Sequence, residues 1–436
     1  MTSIRPSPSS ESPLGRWMAA RPAALALFAT LAAFGVYSCM YAFRKPITAA
    51  TFSGIKYWGF DYKVLIVLAQ IIGYTLSKFI GIKVVSEVSP ARRASVILGL
   101  IGLAEIALIL FPILPRPWNV ACLFLNGLPL GMIWGIVFGF LEGRRVSDLM
   151  GLGLSISFIV SSGIMKSLGL WTMSAWGITE FWMPAVTGAL FLPLLGVCLW
   201  VLAQLPPPST EDIAARAKRE PMNAKQRFAF VREFGIGLVL LIGAYVLLTA
   251  YRDLRDTFMV EILRDLKANQ DASIFARIEL MVGLSVLVLL ASFWNIRDSA
   301  RAFFTYHIII ALGALVVGVS TWAFQHGIIT PFWWMFATGL GGYLGYVPYN
   351  SVLFERLLAA FRQVGTAAFL ITVADSFGYL SSVNLYVYRT LFRGSASWLS
   401  FLTYGSYLLA IVVPVALALS YLYFRKKAAI VATSRR

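Results

Sequence analysis

Residues 22–45 read Pro22-Ala-Ala-Leu-Ala-Leu-Phe-Ala-Thr-Leu-Ala-Ala-Phe-Gly-Val-Tyr37-Ser-Cys-Met-Tyr41-Ala-Phe-Arg44-Lys45, an uncharged run closed by two adjacent cations. A helix needs about 20 apolar residues to cross a bilayer, so this stretch predicts a span over 24–43. Arg16 and Arg21 precede it as the basic region of a signal peptide would. The run is long, however, and lacks a small-residue cleavage site, which makes it a retained helix.

The same pattern repeats along the chain. Of 436 residues, 59% are hydrophobic and 13% charged, about half the charge of an average soluble protein. Too few polar side chains exist to cover a soluble surface, which excludes soluble enzymes, nucleic-acid modules and disulfide scaffolds. Apolar runs predict spans at 24–43, 64–84, 94–114, 118–140, 151–171 and 182–204, and again at 235–260, 274–296, 302–324, 332–354, 366–388 and 398–424. The fold class is therefore an all-α polytopic membrane protein, with 12 transmembrane helices in two six-helix halves. Cys39, Cys122 and Cys198 all sit in apolar stretches and read as small core residues. His307 and His326 are the only histidines, and no metal set, cofactor motif or nucleophile–base pair suggests an enzyme.

The division into parts follows composition. Residues 1–23 form an N-terminal tail whose Ser7-to-Pro13 stretch reads as disordered, 24–204 the first bundle, and 235–424 the second. Between the bundles, 205–234 opens with Pro206-Pro207-Pro208-Ser209-Thr210 and carries Arg216, Lys218, Arg219, Lys225, Arg227 and Arg232. The tail 425–436 adds Arg425, Lys426, Lys427, Arg435 and Arg436. With a cytoplasmic N-terminus, the even-numbered loops and both tails hold 23 of the 37 Lys and Arg residues. That asymmetry predicts the inner or plasma membrane of the cell, with both termini cytoplasmic. The net charge of +17 is then an orientation signal that also favours anionic lipid, and it needs no nucleic acid. The expected partners are the bilayer and a small anionic substrate, the chain acting as a monomer.

Ionisable residues inside spans are costly and mark pathways, partners or helix ends. Lys78 lies deep in span two, facing a polar site or snorkelling to the cytoplasmic side. Arg252 and Arg255 interrupt span seven beside Asp253 and Asp256, as site cations or as an ion-pair network closing the helix. Arg44 ends span one unless the helix continues past it with a kink at Pro46. Tyr37 and Tyr41 precede it on the same helix face. Lys166, Asp375, Glu105 and Glu279 are further candidates for proton coupling or gating, each also readable as a packing partner. Arg44 and Arg252 stand 208 residues apart, close to the half-length of 218. Two halves each led by an arginine-bearing helix suit a transporter with its site at the repeat interface. Several buried cations in both halves, with fewer acids nearby, predict a positive central cavity. Arg would clamp a phosphate or carboxylate bidentately and Lys would add a point charge.

These residues resemble the major facilitator superfamily and, within it, the organophosphate:phosphate antiporters that carry glycerol-3-phosphate or hexose phosphates. Tyr37-Ser-Cys-Met-Tyr41-Ala-Phe-Arg44-Lys45 is similar to that family's Tyr-x-x-x-Tyr-x-x-Arg-Lys. Tyr74-Thr-Leu-Ser77-Lys78-Phe79-Ile80, followed by Ser86-Glu87 and Pro90, resembles its second span. Gly127, Gly131-Met132 and Trp134 resemble span four, and Gly365-Thr-Ala-Ala368 the start of span eleven. The resemblance implies that Arg44 and Arg252 grip the anion, with Lys78, Tyr37, Tyr41 and Lys45 lining the site. The family's span-five histidine falls at Phe158, with Lys166 two turns further on. The loop Gly81-to-Glu87 replaces the acidic-basic core of the superfamily signature.

The resulting expectation is a secondary transporter of a small, phosphorylated anion exchanged for inorganic phosphate. The two halves would rock about a site whose empty cations oppose closure. A proton-coupled carrier of another organic anion, titrating Asp375, Glu105 or Glu279, is one alternative. A transporter-shaped ligand sensor is the other.

Overall fold

The computed structural model describes residues 12–141, 144, 147–207, 212, 224–268, 271–293, 296–361, 363, 367–392 and 396–433. Among the described residues there are sixteen α-helices and a single two-stranded hairpin, so the protein is an all-α polytopic membrane protein. It forms two compact units, Met1–Ala217 with Ala272–Arg277, and Lys218–Asp271 with Ile278–Arg436.

The first unit begins with α1 (Pro13–Ala19), where the Ser12 hydroxyl accepts from Gly15 N and Pro13 takes the first helical position. The stretch expected to be disordered therefore ends in a helix, and its residues before Ser12 lie outside the described residues. Then follow α2 (Pro22–Ala42), the hairpin of β1 (Lys56–Tyr57) and β2 (Phe60–Asp61), α3 (Tyr62–Glu87), α4 (Arg93–Ile113), α5 (Val120–Leu141) and α6 (Ser147–Trp176). The sixth expected span is α7 (Met183–Leu190) and α8 (Leu192–Ala203), bent by 41° at the break. Pro193, in the first turn of α8, cannot donate to the preceding turn and suits such a start. Helices α3 and α5 meet backbone to backbone. A Cβ on Gly127 or Gly73 would collide with the carbonyls of Gln70 and Phe124, and one on Gly131 would lie 2.7 Å from that of Tyr74. Small residues that permit such approach are the ordinary means of helix packing in a membrane. Between α5 and α6, Arg144 Nη2 donates to the Pro206 carbonyl at 2.6 Å. Burial pushes its guanidinium below the ordinary arginine range, a shift partly offset by Asp212. Trp58, Trp118, Trp176 and Trp182 are exposed at the connections after spans one, three and five, as in an interfacial aromatic belt.

The second unit comprises α9 (Ala224–Thr257), α10 (Met259–Asp265), α11 (Ser273–Ser292), α12 (Ser299–Gln325), α13 (Pro331–Ser351), α14 (Leu353–Ala360), α15 (Ala367–Phe392) and α16 (Trp398–Thr433). The end of the expected linker, from Ala224, is already helical; 208–211 and 213–223, with Arg216, Lys218 and Arg219, lie outside the described residues. Arg425, Lys426 and Lys427 extend α16, while Arg435 and Arg436 lie outside, as do Gly365 and Thr366.

Nine helices among the described residues are long and apolar enough to cross a membrane, ten with the bent pair. The two other expected spans, 332–354 and 366–388, coincide with α13 and α15. These fall short on composition: α13 carries Gly339, Gly341, Gly342, Gly345 and three tyrosines, and α15 carries Asp375, Ser376, Ser381, Ser382 and Arg389.

Candidate functional site

In the first unit the site is built where α2 stops. Residue 46 would have to donate its N–H to the Ala42 carbonyl to continue the helix, and Pro46 has none. The helix ends at Ala42, Arg44 and Lys45 follow in a turn, and Pro46–Thr48 forms a single 3-10 turn. Of the two readings left open for this stretch, an end to the helix or a continuation kinked at Pro46, the structure shows the end. Residues 41–50 are nevertheless all buried. Irregular backbone is tolerated at membrane depth only where other groups satisfy it, and here side chains do so. Asn126 Nδ2 donates to the Phe43 carbonyl at 3.0 Å and to the Ala104 carbonyl at 3.1 Å. Gln70 Nε2 donates to Asn126 Oδ1 at 2.8 Å and to the Arg44 carbonyl at 3.3 Å. Lys63 Nζ donates to the Thr48 carbonyl at 2.7 Å, and the Glu180 carboxylate accepts the Thr51 and Phe52 amides at 2.9 and 3.1 Å.

This strap presents Arg44 to Tyr74 of α3, with its Cζ 3.8 Å from the ring centroid. Lys78, one turn further along α3, places Nζ 5.3 Å from the same centroid. One aromatic ring thus gathers two of the expected cations, an arrangement that supports positive charge away from water. Tyr37 and Tyr41 pack edge to face at 5.5 Å, both buried. Ser161 donates to Ser38 at 2.8 Å across the α2–α6 contact, and Lys166 is fully buried on α6. The buried ionisable residues described in this unit are Arg44, Lys45, Lys63, Arg144 and Lys166 against the single acid Glu105. Such an interior favours an anion. The motif reading quoted Tyr74 but gave it no role, and it missed Gln70, Asn126 and Lys63. Their signal was available, since each is a lone polar side chain in or at the edge of an apolar run.

The second unit has the opposite balance. Its buried ionisable residues include Asp253, Asp256, Glu261, Glu279 and Asp375 against Arg255 and Arg389, with Arg252 just outside that class. The expectation of few acids near the cations of both halves is therefore corrected for this unit. Arg252 lies within α9 and not at its end. Its Nη2 donates to Asp253 Oδ1 at 2.6 Å, its Cζ lies 4.1 Å from the Tyr346 ring centroid, and Ser382 donates to Asp253 Oδ2 at 2.6 Å. Arg255 donates to Glu279 Oε1 and to the Met335 carbonyl, both at 2.7 Å. A Cβ on Gly339 would lie 2.5 Å from Arg255 Nη2, so glycine makes room for this pair. Arg255 thus pairs with Glu279 of α11, a partner outside the local network with Asp253 and Asp256 that the sequence suggested. Asp375 accepts from the Tyr245 hydroxyl at 2.5 Å, Asn350 donates to that hydroxyl at 3.0 Å, and Tyr245 stacks on Tyr346 at 5.2 Å. His307 is held between the Phe303 carbonyl and Ser420 as a core residue.

Residues 46–427 match the family of unknown function DUF5690. Among solved structures, the chain is similar to a bacterial homologue of the human drug peptide transporters PepT1 and PepT2. The TM-score is 0.60 at 14% identity, over 92% of this chain and 99% of that one. It is similar also to a protein from work on substrate recognition in proton dependent oligopeptide transporters, with a TM-score of 0.59 at 12% identity over 92% and 98%. Tetrameric PepTSo2 gives 0.56 at 14% identity over 94% and 99%. No curated protein matches the sequence. At such identities the likeness shows the fold alone. The comparisons add no support to the organophosphate:phosphate resemblance.

Proposed function

The chain belongs to the DUF5690 family, and from that premise we propose that it is a secondary active transporter for a small anionic metabolite. It works by alternating access, opening its site first to one face of the membrane and then to the other. The observation that carries this reading is the first unit's cationic interior, with Arg44 and Lys78 held on the Tyr74 ring. Arg44 supplies a planar fork suited to phosphate or carboxylate, and Lys78 supplies charge. The family resemblance adds Tyr37, Tyr41, Lys45 and Arg252 as further candidate binding residues. A phosphorylated substrate exchanged for inorganic phosphate is the form the span-one and span-two motifs favour. We place the carrier in the cell membrane as a monomer; for its orientation, with both termini inside, the support is the distribution of Lys and Arg.

Proteoliposomes loaded with phosphate test it by uptake of labelled phosphate. Wild type exchanges, while Arg44→Ala and Arg44→Lys do not, because Lys keeps the charge but loses the fork. Full exchange by Arg44→Lys refutes the clamp. Absence of exchange by folded wild type removes phosphate as a substrate.

A second reading is proton-coupled carriage of an organic anion or zwitterion, and the five buried acids of the second unit favour it. Its structural neighbours include proton dependent oligopeptide transporters. Uptake driven by a pH gradient with no anion inside the vesicle, and abolished by Asp375→Asn, selects this reading over exchange. Saturable ligand binding without flux in either assay selects a sensor.

A further inference from the structure

Glu105 sits in the middle of α4, 8% exposed, and its Oε2 is enclosed with no hydrogen-bond partner among the described residues. Among the described residues, the α-helices packed most extensively on α4 are α5, α7 and α8. Over their lengths they carry no Asp, Glu, Lys, Arg or His, and their only titratable groups are the thiols of Cys122 and Cys198. Arg92, in the turn before α4, and Arg93, at its start, are about 18 Å or more away at the helical rise of 1.5 Å per residue. The strap is a further neighbour. A Cβ on Gly188 would lie 2.7 Å from Glu105 Oε2 and 2.8 Å from Phe43 Cδ1, so carboxyl and ring share one tight space. The charged residues of the strap, Arg44 and Lys45, follow that ring directly. Asn126 bridges the Phe43 carbonyl to that of Ala104, tying the strap to α4 one residue from Glu105.

An ionised carboxylate enclosed among apolar groups, with an oxygen that no donor reaches, is strongly disfavoured, and such a group takes up a proton instead. We propose that Glu105 is a proton-binding site operated by the strap that carries Arg44. In the conformation seen, Glu105 is a neutral acid behind Phe43. When an anion draws Arg44 and the strap away from α4, water reaches the carboxyl, its O–H bond breaks, and the proton passes to that water, leaving the carboxylate hydrated. Return of the strap expels the water and takes a proton back. The release step rests on the reading of Arg44 as an anion-binding residue; the proton site at rest does not.

Infrared difference spectroscopy of the full-length protein in lipid tests both parts. Without any anion, wild type at neutral pH shows the carbonyl stretch of a protonated carboxylic acid, shifted by deuterium exchange, and Glu105→Gln loses it. A band unchanged in Glu105→Gln overturns the site. Inorganic phosphate and succinate are then added as probes, with binding followed by thermal shift and proton release by a pH dye. Binding accompanied by loss of the band and release of a proton supports the coupling, and Glu105→Gln binds without release. Binding by wild type with the band intact overturns it. If neither probe binds while the band is present and lost in Glu105→Gln, the proton site stands and the anion reading fails. Glu105→Asp, which keeps the acid, retains a band and guards against a folding artefact in the Gln variant.

Discussion

Asn126→Leu removes the amide that holds the strap while keeping side-chain volume. Three hydrogen bonds are lost: two donated to the Phe43 and Ala104 carbonyls and one accepted from Gln70. Polar contacts between membrane helices average about 0.6 kcal/mol, so three account for about 2 kcal/mol. Each buried group left without a partner costs about 1–3 kcal/mol more where it cannot find a substitute. The Phe43 carbonyl, beyond the helix end, is the one that cannot be rescued by its own ladder. A total loss of about 3–5 kcal/mol therefore follows, taking the bonds together with one orphaned carbonyl. At about 2–4 °C per kcal/mol for a unit of this size, the melting point falls by about 6–20 °C. Tryptophan fluorescence in detergent reads the change, with lipid-facing Leu125→Ala as the neutral control. Because Gln70 and Asn126 share a bond, the double variant Gln70→Leu/Asn126→Leu loses less than the sum of the singles. A single variant melting with wild type, or singles that add, would show that the strap does not depend on this amide.

Further outcomes follow from individual contacts. Gly127→Ala pushes a methyl onto the Gln70 carbonyl, and overpacking of this kind costs about 1–3 kcal/mol; Gly99→Ala, with open space around it, leaves the melting point unchanged. Arg255→Leu strands Glu279 and destabilises the protein by about 3–5 kcal/mol, whereas adding Glu279→Leu recovers most of the loss; a double variant no better than the single refutes the pair. In a cysteine-free background, a membrane-impermeant maleimide labels Ser53→Cys on intact cells and leaves Ser12→Cys unlabelled; the reverse pattern inverts the proposed topology.

The helices were legible because each apolar run of about 20 residues has one stable solution in a bilayer. All twelve predicted spans coincide with helix, including the glycine- and tyrosine-rich α13 and the polar α15. The end of α2 was less legible. Pro46 announced a disturbance, but the choice between kink and break depended on Asn126 and Gln70, which lie far along the chain and supply the partners that a break requires. The charge balance of the second unit failed for a related reason. Asp253, Asp256, Glu279 and Asp375 are plain in the sequence, yet spacing alone did not join Arg255 to Glu279 across 24 positions. The excess of acids appears only once burial separates these residues from the exposed Lys and Arg of the same helices, so it needed the geometry.

That difference gives the two arginines, matched in the sequence, unlike physical settings. Arg252 rises from the interior of a 34-residue helix, bonded to Asp253 and stacked on Tyr346, with Ser382 holding the far oxygen of the same carboxylate. Moving it means breaking a charge-assisted bond and stranding Asp253 in a low-dielectric interior. Arg44 rises from backbone outside any α-helix, and the carbonyls around it are satisfied by side-chain amides and an ammonium rather than by a helical ladder. Side chains can exchange such bonds for water without unwinding a turn. Of the two, the Arg44 strap is therefore the element that an anion can displace more readily, its carbonyls passing from side chains to water, and Arg252 the one that resists. Removing Arg252 should accordingly disturb folding of its unit more than removing Arg44 disturbs its own. Melting points for Arg44→Ala and Arg252→Ala in the same detergent decide the matter: equal losses would mean that the break after Ala42 confers no special freedom.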